Sequence, residues 1–230
     1  MIRRHLSALG VLALAVLPAV SSTPALADMF PPPGVDILPG TVTIDFQLLP
    51  QFGGEAFRGV FSGETQVERG DPYPYTSKLG GQEALDAVIT SMDLSGSVGA
   101  WPGELRLQPG IASEGMTVDA NPDPADSFPA YSFFDVYFEI EVPGTPMGDL
   151  LLHNVAPLPM AAMIDQIAPD LGVNPYLAQD TVELYDAVYG VIGTVTAARH
   201  TPEPATVALL LLGGLGLAGW RLIGWSRRRR

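Results

Sequence analysis

The residues best suited to bind a ligand are four acidic and amide side chains in the segment DANPDPAD. They are Asp119, Asn121, Asp123 and Asp126. Their alternate spacing lets the side chains converge on one calcium ion. The segment departs from the EF-hand loop, because Pro124 stands where glycine makes the sharp bend and Ala130 replaces the bidentate carboxylate. Two interpretations remain open, a structural calcium ion that braces a loop and a solvated acidic turn.

Catalytic chemistry finds little support in the sequence. Glu139 and Glu141 share one face of a predicted strand and are a candidate carboxylate pair for glycoside hydrolysis, although solvent-facing strand surfaces commonly carry such residues. Hydrolase or zinc chemistry would depend on His153 and His200, which are far apart, and the chain has neither cysteine nor a Gly-x-Ser-x-Gly motif. We therefore expect a protein that is not an enzyme and has no cofactor other than the candidate calcium ion.

Three aromatic residues lie in turn-rich segments and could stack on sugar rings. They are Tyr73 and Tyr75 in DPYPY and Trp101 in GAWPG. Aromatic side chains beside prolines also pack loops against a core, so the sequence leaves carbohydrate binding and loop packing as alternatives.

The distribution of charge excludes one class of partner. The net charge is -13, and the segment 28–201 holds 24 of the 25 acidic residues but only five of the 12 basic ones. Such a surface repels phosphate backbones, so we expect no nucleic-acid partner. The 25 glycines and 22 prolines indicate many turns, as in all-β proteins.

The N-terminal segment has the features of a secretory signal peptide. Arg3 and Arg4 precede an apolar run over residues 6–20, and the small-x-small sequence Ala25-Leu26-Ala27 follows. We predict a signal peptide over residues 1–27 with cleavage before Asp28. The alternative is an uncleaved N-terminal anchor, for which the apolar run is short.

The C-terminal segment predicts one transmembrane helix. Residues 205–220 carry no charge, residues 222–225 can extend the span to the interface, and basic residues finish the chain. The cluster Arg227, Arg228, Arg229 and Arg230 predicts a cytoplasmic end that stops transfer. Both ends of the chain therefore place the acidic middle across the membrane from the cytoplasm.

The motif Pro202-Glu203-Pro204, followed by an apolar helix and a terminal arginine cluster, resembles the PEP-CTERM sorting signal of Gram-negative bacteria. The resemblance implies transient retention in the inner membrane, cleavage near the motif by an exosortase-type protease, and release to the envelope or extracellular matrix with exopolysaccharide. The two prolines prevent the helix from extending backward and leave an extended segment at the membrane surface. A plain C-terminal membrane anchor is the alternative.

The middle of the chain shows the alternation of β-strands. The clearest case is SFFDVYFEIEV, in which five bulky apolar residues share one face: Phe134, Val136, Phe138, Ile140 and Val142. Further strands are predicted over 41–49, 87–98, 150–152, 182–186 and 191–198. The interval 157–176 is predicted to be a short helix or a long loop, because MAAMIDQIA has helical spacing between prolines.

The sequence predicts an all-β fold, a single antiparallel β-sandwich over residues 41–199. A proline-rich lead-in over 28–40 precedes it, and the sorting signal occupies 200–230 with its helix at 205–225. We expect an exported, non-enzymatic protein of the cell envelope or extracellular matrix, associated with exopolysaccharide or biofilm. The alternatives are a carbohydrate- or calcium-binding module and a secreted hydrolase.

Overall fold

The computed structural model describes residues 29–76, 78–167, 169 and 174–202. The predicted signal peptide, the predicted transmembrane helix, Glu203, Pro204 and the arginine cluster lie outside these residues. Within them, no helix is long and apolar enough to span a membrane.

The described chain is built from thirteen β-strands and one short 3-10 turn at Pro50–Phe52. The strands are β1 Gly34–Leu48, β2 Ala56–Arg69, β3 Tyr73–Pro74, β4 Glu83–Val98, β5 Trp101–Leu107, β6 Ser113–Asp119, β7 Ala130–Val136, β8 Phe138–Thr145, β9 Gly148–Asn154, β10 Leu158–Ile164, β11 Tyr176–Ala178, β12 Val182–Asp186 and β13 Gly190–Pro202. Every pairing between them is antiparallel. The prediction of an all-β antiparallel domain is confirmed.

All thirteen strands belong to one sheet, and that sheet closes on itself. The first strand, β1, pairs with β2 on one side and with the last strand, β13, on the other. The two opposed layers that the apolar faces require are therefore opposite walls of one closed sheet instead of two separate sheets. Closure pairs strand edges that an open sandwich would leave free.

The barrel has eight strand positions around its circumference. Strands β1, β2, β4 and β13 are long, and the other four positions each hold two short strands placed end to end. For example, β4 pairs with β6 through its first half and with β5 through its second half. The end of the barrel where β1 finishes and β13 begins is called the aromatic end here, and the opposite end is called the polar end.

The predicted face of the central strand is confirmed. The five apolar side chains of SFFDVYFEIEV are all buried, whereas Asp135 between them is exposed. The alternation continues from β7 into β8 across a single interrupting residue, Tyr137. Burial of this row against the opposite wall supplies the hydrophobic free energy that holds the sheet closed.

The interval predicted as a short helix or a loop instead contains β10. This strand pairs with β7 over seven residues, from Leu158 to Ile164. Met160 and Ile164 are four residues apart, a spacing that fits a helical turn and also fits two strand repeats. Pairing with β7 decided between the two, so the prediction was wrong for these residues.

The paired segment is longer than predicted at both ends. Strand β1 begins at Gly34, inside the proline-rich segment predicted as a lead-in. Its residue Asp36 forms an ion pair with Arg69. Strand β13 continues to Pro202, whose backbone pairs with Gly40. The first residue of the Pro-Glu-Pro motif is thus the last paired residue of the barrel.

Glycine is required where β2 and β4 approach most closely. A Cβ atom added to Gly96 would lie 1.9 Å from the carbonyl oxygen of Val60 on the neighbouring strand. The same addition to Gly63 would lie 2.2 Å from the carbonyl oxygen of Asp93. Since backbone oxygens cannot move aside without breaking the ladder, the curvature of this wall depends on these glycines.

We expect Gly96→Ala to lower the free energy of unfolding by about 1–3 kcal/mol, the usual range for a forced steric overlap. Gly70→Ala is the matched control, because its added Cβ would lie 3.6 Å from the nearest atom, the carbonyl oxygen of Asp86, which is an ordinary contact. Urea denaturation of both variants measures the difference. Equal stabilities for the two variants would contradict the close approach of β2 and β4.

Candidate functional site: the interior of the barrel

The interior of the barrel differs in chemistry from one end to the other. At the aromatic end, rings from the ends of the long strands enclose a cavity. At the polar end, buried hydrogen bonds and one ion pair fill the space between the walls. A second cavity lies between them, and it has the most unusual chemistry in the described part of the chain.

The aromatic cavity has a volume of about 260 Å³ and a mainly apolar wall, with Glu55 and Thr145 among its lining residues. Phe46 stacks on Phe57, which in turn contacts Trp101, with ring centroids 5.9 and 6.0 Å apart. The 3-10 turn covers one side, where Phe52 meets Tyr189 edge to face. The exposed residue Glu55 is part of the rim, so this cavity adjoins solvent.

The central cavity is smaller, at about 70 Å³, and buried side chains form most of its wall. Most of these side chains are apolar, and they include Ile44, Met92 and Met160. The polar side chains are Thr65 from β2, Tyr176 from β11 and His200 from β13. The cavity thus brings together three residues that are distant in the sequence.

Two polar atoms at the central cavity have no hydrogen-bond partner. Within the described residues, three buried side-chain polar atoms lack a partner, and two of them are Oγ1 of Thr65 and Nε2 of His200. Burial of such an atom without a hydrogen bond is unfavourable by about 1–3 kcal/mol, so native proteins rarely retain one without a reason.

The environment of His200 keeps its imidazole neutral at physiological pH. His200 as a residue is partly exposed, yet its Nε2 atom is buried, and desolvation lowers the pKa of the side chain to about 4. Its ring stacks on Tyr176, with centroids 6.4 Å apart. A neutral imidazole offers one donor and one acceptor nitrogen, so Nε2 can pair with either kind of ligand group.

The polar end holds a satisfied network beside the central cavity. The hydroxyl of Tyr176 donates to Oγ of Ser132 at 2.9 Å, and Thr117 donates to the same oxygen at 3.0 Å. Desolvation raises the pKa of Tyr176 to about 12, so its hydroxyl stays protonated. Nearby, Arg69 and Asp36 form an ion pair of 2.6 Å that is only 13% and 16% exposed. These groups are paired, in contrast to those of the central cavity.

The four residues proposed as calcium ligands are placed in one loop between β6 and β7, where each fixes the backbone. The carboxylate of Asp119 accepts hydrogen bonds from the amides of Gln82 and Asn121. The side-chain oxygens of Asn121, Asp123 and Asp126 each accept from the amide two residues later. The described residues contain no group of three or more His, Cys, Asp or Glu side chains arranged to hold a metal ion. Calcium binding stays a prediction, and the loop has a structural use for these residues without it.

The carboxylates of Glu139 and Glu141 share one guanidinium. Arg106 donates to Glu139 through Nε and lies 3.2 Å from Glu141. The hydrogen bond to Glu139 is the main cause of the raised pKa of Arg106. Both carboxylates face outward from β8, away from either cavity, because Ile140 between them points into the barrel. This arrangement engages both carboxylates with one cation and leaves neither acid positioned against a cleft.

The three aromatic residues considered for sugar stacking do not form one surface. Tyr73 pairs with the first residues of β4, whereas Trp101 pairs with its last residue, Val98. The fourteen residues between these positions correspond to roughly 45 Å of strand. Trp101 lines the aromatic cavity, while Tyr73 donates a hydrogen bond to Asp86 on the outside.

His200 and Thr65 were not predicted as site residues. Our sequence interpretation placed His200 in the sorting segment and His153 in the domain as equivalent, unpromising histidines. The signal was present in β13, where Ala198 and His200 alternate with Arg199 and Thr201 and extend the period of two through the Pro-Glu-Pro boundary. Thr65 gave no signal, since threonine is common on both faces of strands.

Removal of the unpaired hydroxyl is expected to leave stability unchanged or to raise it. Thr65→Val keeps the side-chain shape and deletes an unsatisfied polar atom. Thr117→Val is the matched control, because Thr117 is equally buried but hydrogen-bonded to Ser132, and we expect it to lower the free energy of unfolding by about 1 kcal/mol. Chemical denaturation of both variants is the measurement. A loss for Thr65→Val as large as that for Thr117→Val would mean that the Thr65 hydroxyl has a partner.

The buried imidazole predicts a specific dependence of stability on pH. Because the pKa of His200 is lowered to about 4, the unfolded chain binds a proton between about pH 6.5 and pH 4 that the folded chain does not. The free energy of unfolding is therefore unaffected by this group above about pH 6.5, and it falls by up to about 1.4 kcal/mol for each pH unit below that. The stability difference between the wild type and His200→Phe, followed by urea denaturation from pH 7 to pH 4.5, should therefore shift in favour of the variant as pH falls. A difference that does not change with pH would contradict the burial of the imidazole.

Comparison with known proteins supports the fold and does not extend to an activity. No protein-family model and no curated protein matched the sequence. Among solved structures, this chain is similar to the structure of DynF from the dynemicin biosynthesis pathway of Micromonospora chersina, with 20% sequence identity and a TM-score of 0.59. The similarity covers 79% of this chain and 90% of that one. At this identity the comparison shows a shared fold alone.

Proposed function

We propose that this chain is an exported, non-enzymatic protein of the cell envelope or extracellular matrix, delivered by its N-terminal signal and sorted by its C-terminal segment. The proposal rests on the PEP-CTERM-like motif, the apolar stretch and arginine cluster after it, and the orientation that both chain ends predict. In this proposal the partners are the membrane, an exosortase-type protease and exopolysaccharide.

The observation that carries the proposal is the position of the barrel relative to the motif. Strand β13 ends at Pro202, so cleavage after Glu203 or Pro204 would leave all paired strands intact. Strand β1 begins at the same end of the barrel, since the start of β1 pairs with the end of β13. Both predicted membrane-directed segments therefore leave from the polar end, and the anchored form would hold that end toward the membrane.

The arrangement of acidic groups supports a role without catalysis. The carboxylates that the sequence offered for glycoside hydrolysis are engaged by Arg106, and those of the acidic loop are engaged by backbone amides. The remaining acidic residues give the outer surface a strong negative charge, which favours solubility outside the cell.

A binding module is the second candidate function, and the aromatic cavity favours it. A cavity of about 260 Å³ lined by Phe46, Phe57 and Trp101 beside solvent has the form of a small-molecule site. Its nearly apolar wall offers few partners for the hydroxyl groups of a sugar, so it fits an apolar ligand better than a carbohydrate.

The intact mass of the protein from membrane and extracellular fractions of its native host tests the leading proposal. We expect the mature form to begin near Asp28, to end near the Pro-Glu-Pro motif, and to lie mostly outside the inner membrane. Glu203→Ala should cause accumulation of the longer form in the membrane, because it alters the motif without changing the described barrel. Glu114→Ala, which changes an exposed acid within the domain, is the control. A wild-type form that keeps Arg227–Arg230 in the membrane fraction would overturn the sorting proposal.

A further inference from the structure

We propose that the central cavity is a binding site for a small neutral molecule with an apolar body and one hydroxyl or carbonyl group, which hydrogen-bonds to Nε2 of His200. Oγ1 of Thr65 is the second polar atom available to the ligand. This inference goes beyond the proposed function, since it concerns what the barrel holds and not where the protein is sent.

The wall of the cavity defines the apolar part of the ligand. Apolar side chains from opposite walls, among them Ile44, Leu105, Phe138 and Met160, form most of its surface. Such a wall favours a hydrocarbon body, because water in contact with it would lose hydrogen bonds. The two unpaired atoms interrupt this wall and select a ligand that carries a polar group.

The charges around the cavity select a neutral ligand. Among the residues that the structure describes, no lysine, arginine, aspartate or glutamate lines the cavity. The nearest buried ion pair, Arg69 with Asp36, lines a neighbouring space and is satisfied within itself. A carboxylate placed here would be buried without a cation and would also meet the field of a strongly acidic domain. An alcohol or ketone has no such penalty.

The volume limits the ligand to a few carbon atoms. A cavity of 150 Å³ holds the six carbon atoms of benzene, so about 70 Å³ accommodates roughly three non-hydrogen atoms. A neighbouring space of about 30 Å³ shares four lining residues with the cavity, adds room for about one more atom, and leads toward the polar end. These shared residues are Leu38, Val67, Phe134 and Tyr176. The ligand would therefore enter from the polar end, the end from which both terminal segments leave.

Ordered water is the alternative occupant of the cavity, and the number of hydrogen bonds available there distinguishes it from the proposed ligand. A buried water usually makes about three hydrogen bonds, whereas this cavity offers two unpaired atoms in an apolar wall. A molecule with one hydroxyl group and a short hydrocarbon chain satisfies the unpaired atom and covers the apolar wall at the same time.

Methionine methyl groups report directly on the two cavities. Met92 and Met160 line the central cavity, Met147 lines the aromatic cavity, and Met163 is exposed. We would titrate the full chain, labelled with ¹³C-methyl methionine, with propan-1-ol, with 1-chloropropane as a similar molecule without the hydroxyl, and with propanoate as the charged analogue. We expect propan-1-ol to shift the signals of Met92 and Met160 and to leave Met163 unchanged. Propanoate should bind at least about tenfold more weakly.

Variants separate the hydrogen bond from the apolar contact. We expect His200→Phe to weaken propan-1-ol binding by about threefold to tenfold and to leave binding of 1-chloropropane nearly unchanged, which corresponds to the loss of one hydrogen bond. Thr65→Val should also weaken binding of the alcohol. This second variant keeps the test valid if His200→Phe does not fold. Thr117→Val, whose hydroxyl is already bonded, is the matched control and should bind as the wild type does.

Three results would overturn the proposal. The first is a failure of propan-1-ol to shift Met92 and Met160 at concentrations that saturate other sites, which would leave water as the occupant. The second is an equal loss of propan-1-ol and 1-chloropropane binding in His200→Phe, which would mean that the imidazole makes no hydrogen bond to the alcohol. The third is a response confined to Met147, which would move binding to the aromatic cavity and support the second candidate function instead. None of these results depends on whether the tail is cleaved.

Discussion

The pairing of the first long strand with the last is the constraint on which the rest of this structure depends. Nine residues of β1, from Gly40 to Leu48, pair with residues of β13 between Gly193 and Pro202. This ladder closes the sheet and pairs the edge of β1 from Gly40 to Leu48, which an open sheet would leave free. Closure also fixes the circumference, and the circumference determines how much space the interior side chains must fill.

That space is filled unevenly. Phe61 of β2 is fully buried, and two interior glycines, Gly59 on the same strand and Gly103 on β5, leave room for its ring. Along β2, Phe61 lies between Phe57 at the aromatic cavity and Thr65 at the central cavity. Large side chains and glycines thus alternate along the wall, a common way to fill a small barrel, and cavities remain above and below the packed layer.

Polar groups inside the barrel are of two kinds. Those at the polar end, such as Tyr176, Ser132 and Thr117, are bonded to one another and stabilise the packing. Those at the central cavity, Thr65 and His200, are buried without partners. The contrast within one interior is the reason to regard the central cavity as a site: the same fold that satisfies one set of buried groups leaves the other set open.

The acidic residues that drew attention in the sequence have mostly structural uses. The carboxylate of Asp119 accepts hydrogen bonds from the backbone amides of Gln82, before β4, and Asn121, after β6. Arg106 forms ion pairs with Glu139 and Glu141 on the outer wall. Carboxylates can bind a metal or act in acid-base catalysis only when their oxygens lie close together and are free to bond a ligand. Here backbone amides and one guanidinium already bond these oxygens, and the spacing of residues in the sequence could not reveal this.

Local patterns in the sequence were sufficient to predict the class of fold and the buried face of its central strand. Alternation in SFFDVYFEIEV assigned five buried side chains correctly, because the period of two is a local property of an extended chain. The predictions for both termini are equally local, and they rest on the sequence alone. Long-range strand pairing settles the other features: MAAMI forms a strand, the sheet closes, and His200 lines an apolar cavity. Each of these depends on a partner distant in the sequence, β7 for β10 and β1 for β13, and no local pattern specifies which strand a given strand will meet.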